Sequence, residues 1–264
     1  MSGLKHSMQL FEAFRHEGTD PETFYRLLAD DTVSEVSRYC QLNGATVLDV
    51  GGASGYVADS FRDVGARSFT VEYDPKQMTE HGRHLENGVA ADGMALPFAT
   101  ASVDISHSSN VLEHVVEPTK MLSEMVRVVS LGGVIYLTFT NWLSPWGGHE
   151  TSPWHYGGGE WAVKRYERKY GVPVKNRYGS SLFRLSIAEV MDWCESCPEV
   201  DVLDAFPRYY PRWTKPLVKM AGIREILTWN LVVVMRRTRV DSEEVQHAGA
   251  SVGDQSSPTL GERL

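Results

Sequence analysis

Three carboxylates in this 264-residue chain, Asp49, Glu72 and Asp92, each stand where a short apolar run gives way to a turn. The first lies in Val47-Leu48-Asp49-Val50-Gly51-Gly52-Ala53-Ser54-Gly55, an apolar strand running into a small-residue loop and then a helix. Such a loop lets the backbone approach a ligand held at a helix N-terminus. Asp49, two residues before the glycines, is placed to organise the loop and to face a ligand ammonium. Glu72 closes the run in Thr70-Val71-Glu72-Tyr73-Asp74, where a carboxylate accepts both hydroxyls of a ribose. Asp92, in Ala91-Asp92-Gly93-Met94-Ala95-Leu96-Pro97-Phe98, is placed to accept from an adenine amino group. The glycine turn alone suits NAD, FAD or S-adenosylmethionine, which all use the crevice at a sheet's switch point. A nicotinamide dinucleotide explains Glu72 and leaves Asp49 and Asp92 without a role.

A second group of residues carries proton chemistry. His149-Glu150 and His155-Tyr156 lie in Asn141-Trp142-Leu143-Ser144-Pro145-Trp146-Gly147-Gly148-His149-Glu150-Thr151-Ser152-Pro153-Trp154-His155-Tyr156. An imidazole beside a carboxylate in a glycine-flexed loop suits a general base, with Glu150 orienting or charge-stabilising His149. His149 and Glu150 also offer donors for a divalent ion, although H-E-x-x-x-x-H lacks the spacing that sets two ligands on one helical face. The bland alternative makes these histidines loop hydrogen-bonders. His114, in Leu112-Glu113-His114, reads as a residue lining the acceptor side more than as the base. Trp142, Trp146, Trp154 and Trp161 crowd the same stretch, either as a satellite core or as indole faces for a sugar or flat natural product.

These groups need a frame. Short apolar strands at 46–50, 68–72, 88–91, 103–108 and 133–139, mostly alternating with helical stretches, imply a parallel sheet covered on both faces. Residues 1 to about 43 read as a helical cap, with Asp20-Pro21-Glu22-Thr23 as a helix start. Residues 45–140 form the ligand-binding core and 141–180 an insertion on its acceptor side. Ser186-Ile187-Ala188-Glu189 is a capping box opening a helix through Trp193. Two further strands are read at 200–206 and 228–235. A single domain spans 1–240, and the Ser/Gly/Asp/Glu-rich tail 241–264 is expected to be disordered.

Composition narrows the class. Apolar residues at 42% and a net charge of −8 describe a globular chain that disfavours nucleic acid or an anionic membrane as its general partner, though a local basic patch would be an exception. Three cysteines, Cys40, Cys194 and Cys197, form no disulfide framework, and Cys194-Glu195-Ser196-Cys197 has no second ligand pair for zinc. The longest apolar run is too short to span a bilayer, so a cytoplasmic location is expected.

Together, the first three segments resemble the opening motifs of class I S-adenosylmethionine-dependent methyltransferases of the methyltransferase-11 type. Val103-Asp104-Ile105 through Ser108-Ser109-Asn110-Val111-Leu112-Glu113-His114 is similar to the fourth motif, and Leu131-Gly132-Gly133-Val134-Ile135 to the turn of the fifth strand. The resemblance implies a Rossmann-like, doubly wound α/β fold with a seven-stranded, mostly parallel sheet whose last strand is antiparallel. It implies cofactor contacts from Asp49, Gly51, Gly52, Ala53, Gly55, Glu72, Tyr73, Asp92, Gly93, Met94 and Asn110. Ala53 departs from the family's G-x-G-x-G, narrowing one approach to the ligand. The insertion, with Asn176-Arg177-Tyr178-Gly179-Ser180-Ser181-Leu182-Phe183 and Pro207-Arg208-Tyr209-Tyr210-Pro211-Arg212-Trp213, resembles an actinobacterial group that includes sugar and polysaccharide O-methyltransferases. The implied acceptor is a hydroxyl on a small molecule or saccharide. The alternatives are a lipid, quinone or small natural product as acceptor, or a non-catalytic binder of the same cofactor.

Overall fold

The structure, a computed structural model, describes residues 8–10, 12–13, 20–83, 85 and 87–239. The expected tail and part of the expected N-terminal cap, residues 1–7, 11 and 14–19, lie outside these residues.

Alternation of side chains along the strands explains the layers. In β1 (Thr46–Val50), Val47 faces one side and Leu48 the other; in β5 (Val129–Phe139), Val134 and Tyr136 oppose Ile135 and Leu137. The final strand β7 (Leu231–Arg237) divides likewise, Val232 and Val234 against Val233 and Met235. One face is covered by α3 (Pro118–Val128) and α5 (Ile187–Ser196), through Met121, Leu122, Met125, Ile187 and Val190. The other packs on α1 (Pro21–Val36) and α2 (Tyr56–Asp63), through Val33, Val36 and Phe61. A period-two strand with both faces covered is buried throughout, which is why these runs are nearly continuously apolar.

The remaining strands are β2 (Arg67–Glu72), β3 (Gly88–Ala90), β4 (Val103–Ser109) and β6 (Val200–Pro207). The seven form one sheet in the order β3-β2-β1-β4-β5-β7-β6. All pairs from β3 to β5 are parallel, and β7 runs antiparallel to both β5 and β6. The order reverses direction at β1–β4, so the carboxyl ends of these strands splay into a crevice where ligands of open α/β sheets bind.

Element starts follow the local chemistry. Asp20 accepts from Thr23 N at 3.2 Å ahead of α1, and Ser186 with Glu189 forms the reciprocal capping box of α5. Two strand starts differ from the sequence reading by more than one residue. β5 begins at Val129 because Val129 pairs with Val103 before an irregularity in the ladder. β7 begins at Leu231, since Asn230 instead turns its side chain to Asn110. The segment after β5 holds two short 3-10 turns, His149–Thr151 and Trp154–Gly157, then α4 (Gly159–Tyr170). Among the described residues no helix is long and apolar enough to cross a membrane.

Candidate active site

The loop after β1 is shaped by positive backbone angles. Gly51 has φ +76° and Gly55, the N-cap of α2, has φ +78°. A Cβ on Gly51 would run into Val111, and one on Gly52 into the Asp49 carboxylate and Thr70. Ala53, at φ +44°, holds a conformation L-residues seldom adopt, and its N–H donates to Glu72 Oε2 at 3.1 Å. Glu72 Oε1 accepts from Asp74 N, also at 3.1 Å. One carboxylate therefore ties together the loops after β1 and β2. Burial pushes its pKa up, and the amides of Asp74 and Ala53 pull it back.

Asp49 sits differently from the sequence expectation. It is fully buried beneath the loop, with Oδ1 accepting from His107 Nδ1 at 2.7 Å and Oδ2 without a partner. Its carboxylate fills the space beneath Gly52, and its hydrogen-bond neighbour is an imidazole from β4. Sequence reasoning missed His107; the parallel register that sets Asp49 beside His107 is visible only in the folded sheet. Asp92 Oδ1 accepts from Met94 N at 2.8 Å, which curls the turn after β3 toward Val50, the nearest atoms to a Cβ on Gly93. Tyr73 projects into solvent. Asn110, at φ +56°, ends β4 and accepts from Asn230 at 2.6 Å.

His114 and His149 meet in the segments that follow β4 and β5. His114 Nδ1 donates to Ser181 O at 2.5 Å, which fixes the ring against the returning insertion. The His149 ring meets His114 edge-on at 5.0 Å between centroids. Glu113 is buried; Oε1 accepts from Thr140 N at 3.0 Å and Oε2 has no partner. Donor atoms of Glu113, His114 and His149 lie within 4.8 Å of one another. Burial foremost, then the neighbouring His114, pushes His149 down to about 4, so its imidazole is neutral near pH 7. Burial raises the Glu113 carboxyl. His149 is itself at φ +49°, a backbone conformation that L-residues seldom adopt, and its Nδ1 is buried.

Glu150 Oε1 accepts from Asn176 N and Nδ2 at 3.3 and 3.1 Å, and the residue lines a separate cavity of about 50 Å³ with Arg165, Tyr166 and Lys169, while its charge still acts on the His149 ring against the effect of burial. Among the described residues, the three donors close enough together to hold a divalent ion are Glu113, His114 and His149. A 3-10 turn over 149–151 sends adjacent side chains in different directions, which spacing alone could not reveal. His155 is buried between Trp142 and Tyr156, a core residue of the insertion. Trp142 is likewise core, whereas Trp146, Trp154 and Trp161 are each at least two-fifths exposed.

Arg208 is a further residue the sequence did not single out. Its buried guanidinium donates to Ser109 Oγ at 2.8 Å, Thr138 Oγ1 at 3.2 Å and Thr32 Oγ1 at 2.7 Å. It thereby joins the carboxyl ends of β4 and β5 to α1.

A glycine-lined turn at the switch point of a seven-stranded sheet, with acidic strand ends beside it, is the arrangement of a class I methyltransferase. The model of the family described as a methyltransferase domain matches residues 48–137. An uncharacterized methyltransferase of Mycolicibacterium gilvum is 46% identical over 245 residues, covering 89% of this chain and 95% of that protein. One of Mycobacterium tuberculosis is 45% identical over 242 residues, covering 88% and 94%. The chain belongs to this methyltransferase family. In fold it is similar to an S-adenosylmethionine dependent methyltransferase from Mesorhizobium loti, with TM-score 0.51 and 15% identity over 79% of this chain and 98% of that one.

Proposed function

We propose that this enzyme transfers a methyl group from S-adenosylmethionine to a hydroxyl of a saccharide or other cytoplasmic glycan precursor. The cofactor fits the cradle: the loop at Gly51 and Gly52 has no room for side chains, and Glu72 stands at the end of β2 where ribose hydroxyls are accepted. When bound, the sulfonium supplies an electrophilic methyl and a good leaving group. In this reading residues 45–140 hold the cofactor and 141–180 shape the acceptor side, within one unit spanning 1–240.

The observation that carries the hydroxyl reading is the placement of His149, a neutral imidazole packed edge-on against His114 in the segment that follows β5. A hydroxyl must lose its proton as the new bond forms, and a neutral imidazole accepts it. Buried Glu113 offsets the charge gained, and His114, held by Ser181, packs against the ring. Exposed Trp146 and Trp154 offer indole faces to a sugar ring. The test is incubation with methyl-labelled S-adenosylmethionine and a panel of sugar, lipid, quinone and amine acceptors. A base-stable methyl ether on a sugar is expected. Label found only on nitrogen or carboxylate, or no turnover with any acceptor, sinks the reading.

The unpartnered Glu113 Oε2 favours one second reading, in which Glu113, His114 and His149 hold a divalent ion that binds the acceptor oxygen. Activity abolished by chelator and restored by added divalent ion would establish it in place of the general base.

A further inference from the structure

β6 runs parallel to β5, since both are antiparallel to β7, so the chain leaves β6 at the carboxyl edge of the sheet. The connection back to β7 holds a 3-10 helix, Arg212–Lys219, and α6 (Ile223–Leu227). α6 is inverted relative to a helix that packs on a core, whereas the 3-10 helix buries Val218 in the core and leaves Trp213 outside. In α6, Ile223, Ile226 and Leu227 stand at i, i+3 and i+4 and are about half exposed, while Glu225 is buried. The Glu225 carboxylate accepts from Ile187 N and Ala188 N at 2.8 and 2.9 Å, so its acid faces inward and its apolar stripe outward. Trp213 is 81% exposed, and Met220 is about half exposed.

Cations are interleaved with these side chains: Arg212, Lys215, Lys219 and Arg224. The acids paired with three of them, Glu35, Asp204 and Glu225, are buried beneath. The outward surface therefore presents indole, aliphatic and ammonium groups together, in a chain whose net charge is −8. A globular surface does not expose such a stripe without use for it. The segment also adjoins the reaction side. Asn230, just beyond it, bonds Asn110 at the end of β4, and Trp229 meets Trp146 of the insertion edge-on at 6.1 Å.

We propose that residues 210–227 dock the protein on the surface of an anionic lipid bilayer, with the carboxyl edge of the sheet beside the membrane. Trp213, Met220, Ile223, Ile226 and Leu227 enter the headgroup boundary, and exposed Lys219 reaches anionic headgroups. The negative charge elsewhere on the chain opposes any other orientation. Docking does not rest on the hydroxyl reading. Joined to it, docking makes the acceptor a hydroxyl carried on an amphiphile.

The test is sedimentation of the full chain with sucrose-loaded vesicles of phosphatidylcholine alone or mixed with phosphatidylglycerol. Binding to the mixed vesicles, falling as salt rises, is expected. Trp213→Ser combined with Ile226→Ser should lower partitioning by about tenfold or more, and Lys219→Glu should weaken binding to anionic vesicles. Trp213→Phe should keep binding but lose much of the fluorescence quenching by brominated lipid. These positions are exposed, so unfolding temperatures should match the parent. Absence of binding to either vesicle, equal binding by the double variant, or a parent dimer that the double variant abolishes would overturn the proposal.

Discussion

His107 donates from Nδ1 to Asp49 Oδ1 over 2.7 Å across the β1–β4 seam, where both side chains are fully buried. Asp49→Ala strands the imidazole donor and empties the space beneath Gly52, whereas Asp49→Asn keeps an acceptor there. The alanine variant should lose about 1–3 kcal/mol of stability in urea unfolding, and asparagine should recover part of it. Cofactor affinity should fall with the alanine change as the loop loses its support. An alanine variant within about 0.5 kcal/mol of the parent would show that the pair supports nothing.

Glu72 joins two loops through Ala53 N and Asp74 N, and its carboxylate stands where the cofactor ribose is expected. Glu72→Ala removes charge-assisted bonds to both, so S-adenosylmethionine binding should weaken by on the order of 1.5–3 kcal/mol. Glu72→Gln, which still accepts through one oxygen, should fall between. Calorimetry checks both, with NAD as the control that should not bind. Tight NAD binding without S-adenosylmethionine binding would overturn the cofactor assignment.

The cofactor half of the site was legible because it is local: a strand, a glycine turn and a helix N-terminus follow within a dozen residues, and three acids repeat that position. The layers were legible for the same reason, since burial on both faces leaves runs such as Val47–Leu48 and Ile135–Leu137 apolar. The rest of the site is built from distant contacts. His107 reaches Asp49 through strand register, Glu113 joins His149 through the folding back of the insertion, and Arg208 spans 99 residues to Ser109. At Glu150 the hydrogen-bond partner is likewise distant in sequence, Asn176.

Acid stability should carry the signature of His149. Burial lowers its folded pKa to about 4 from 6.5, so the unfolded chain binds more protons between those values. Its contribution is complete above about pH 6.5 and is lost as pH falls toward 4. His155, lowered by burial, acts in the same direction, while the raised carboxyls of Glu35, Glu72 and Glu113 act in the opposite one. The test is therefore a difference: unfolding free energies of parent and His149→Gln, measured from pH 4 to 7.5. The parent's slope should exceed the variant's, with the variant gaining by on the order of 1–3 kcal/mol at the acid end relative to neutral pH. Parallel curves would mean that His149 is solvated.

His149 as general base gives the most decisive prediction. Removing the imidazole should lower kcat by about 10²–10⁴-fold while S-adenosylmethionine affinity hardly changes, because the ring lies apart from the Glu72 and Gly51 cradle. A neutral ring is needed, so activity should rise with pH through the depressed pKa near 4 and carry no further step from this group at neutrality. Glu113→Gln should lower kcat by a smaller factor, since it removes charge compensation but leaves the accepting nitrogen. Glu150→Gln should have little effect, its carboxylate being engaged with Asn176. A divalent ion held by Glu113, His114 and His149 predicts another pattern: Glu113→Gln and His114→Ala fall together with His149→Ala, and chelator abolishes turnover. If His149→Ala instead turns over like the parent with the identified acceptor, the strained turn at residue 149 is structural and His114 becomes the residue to test.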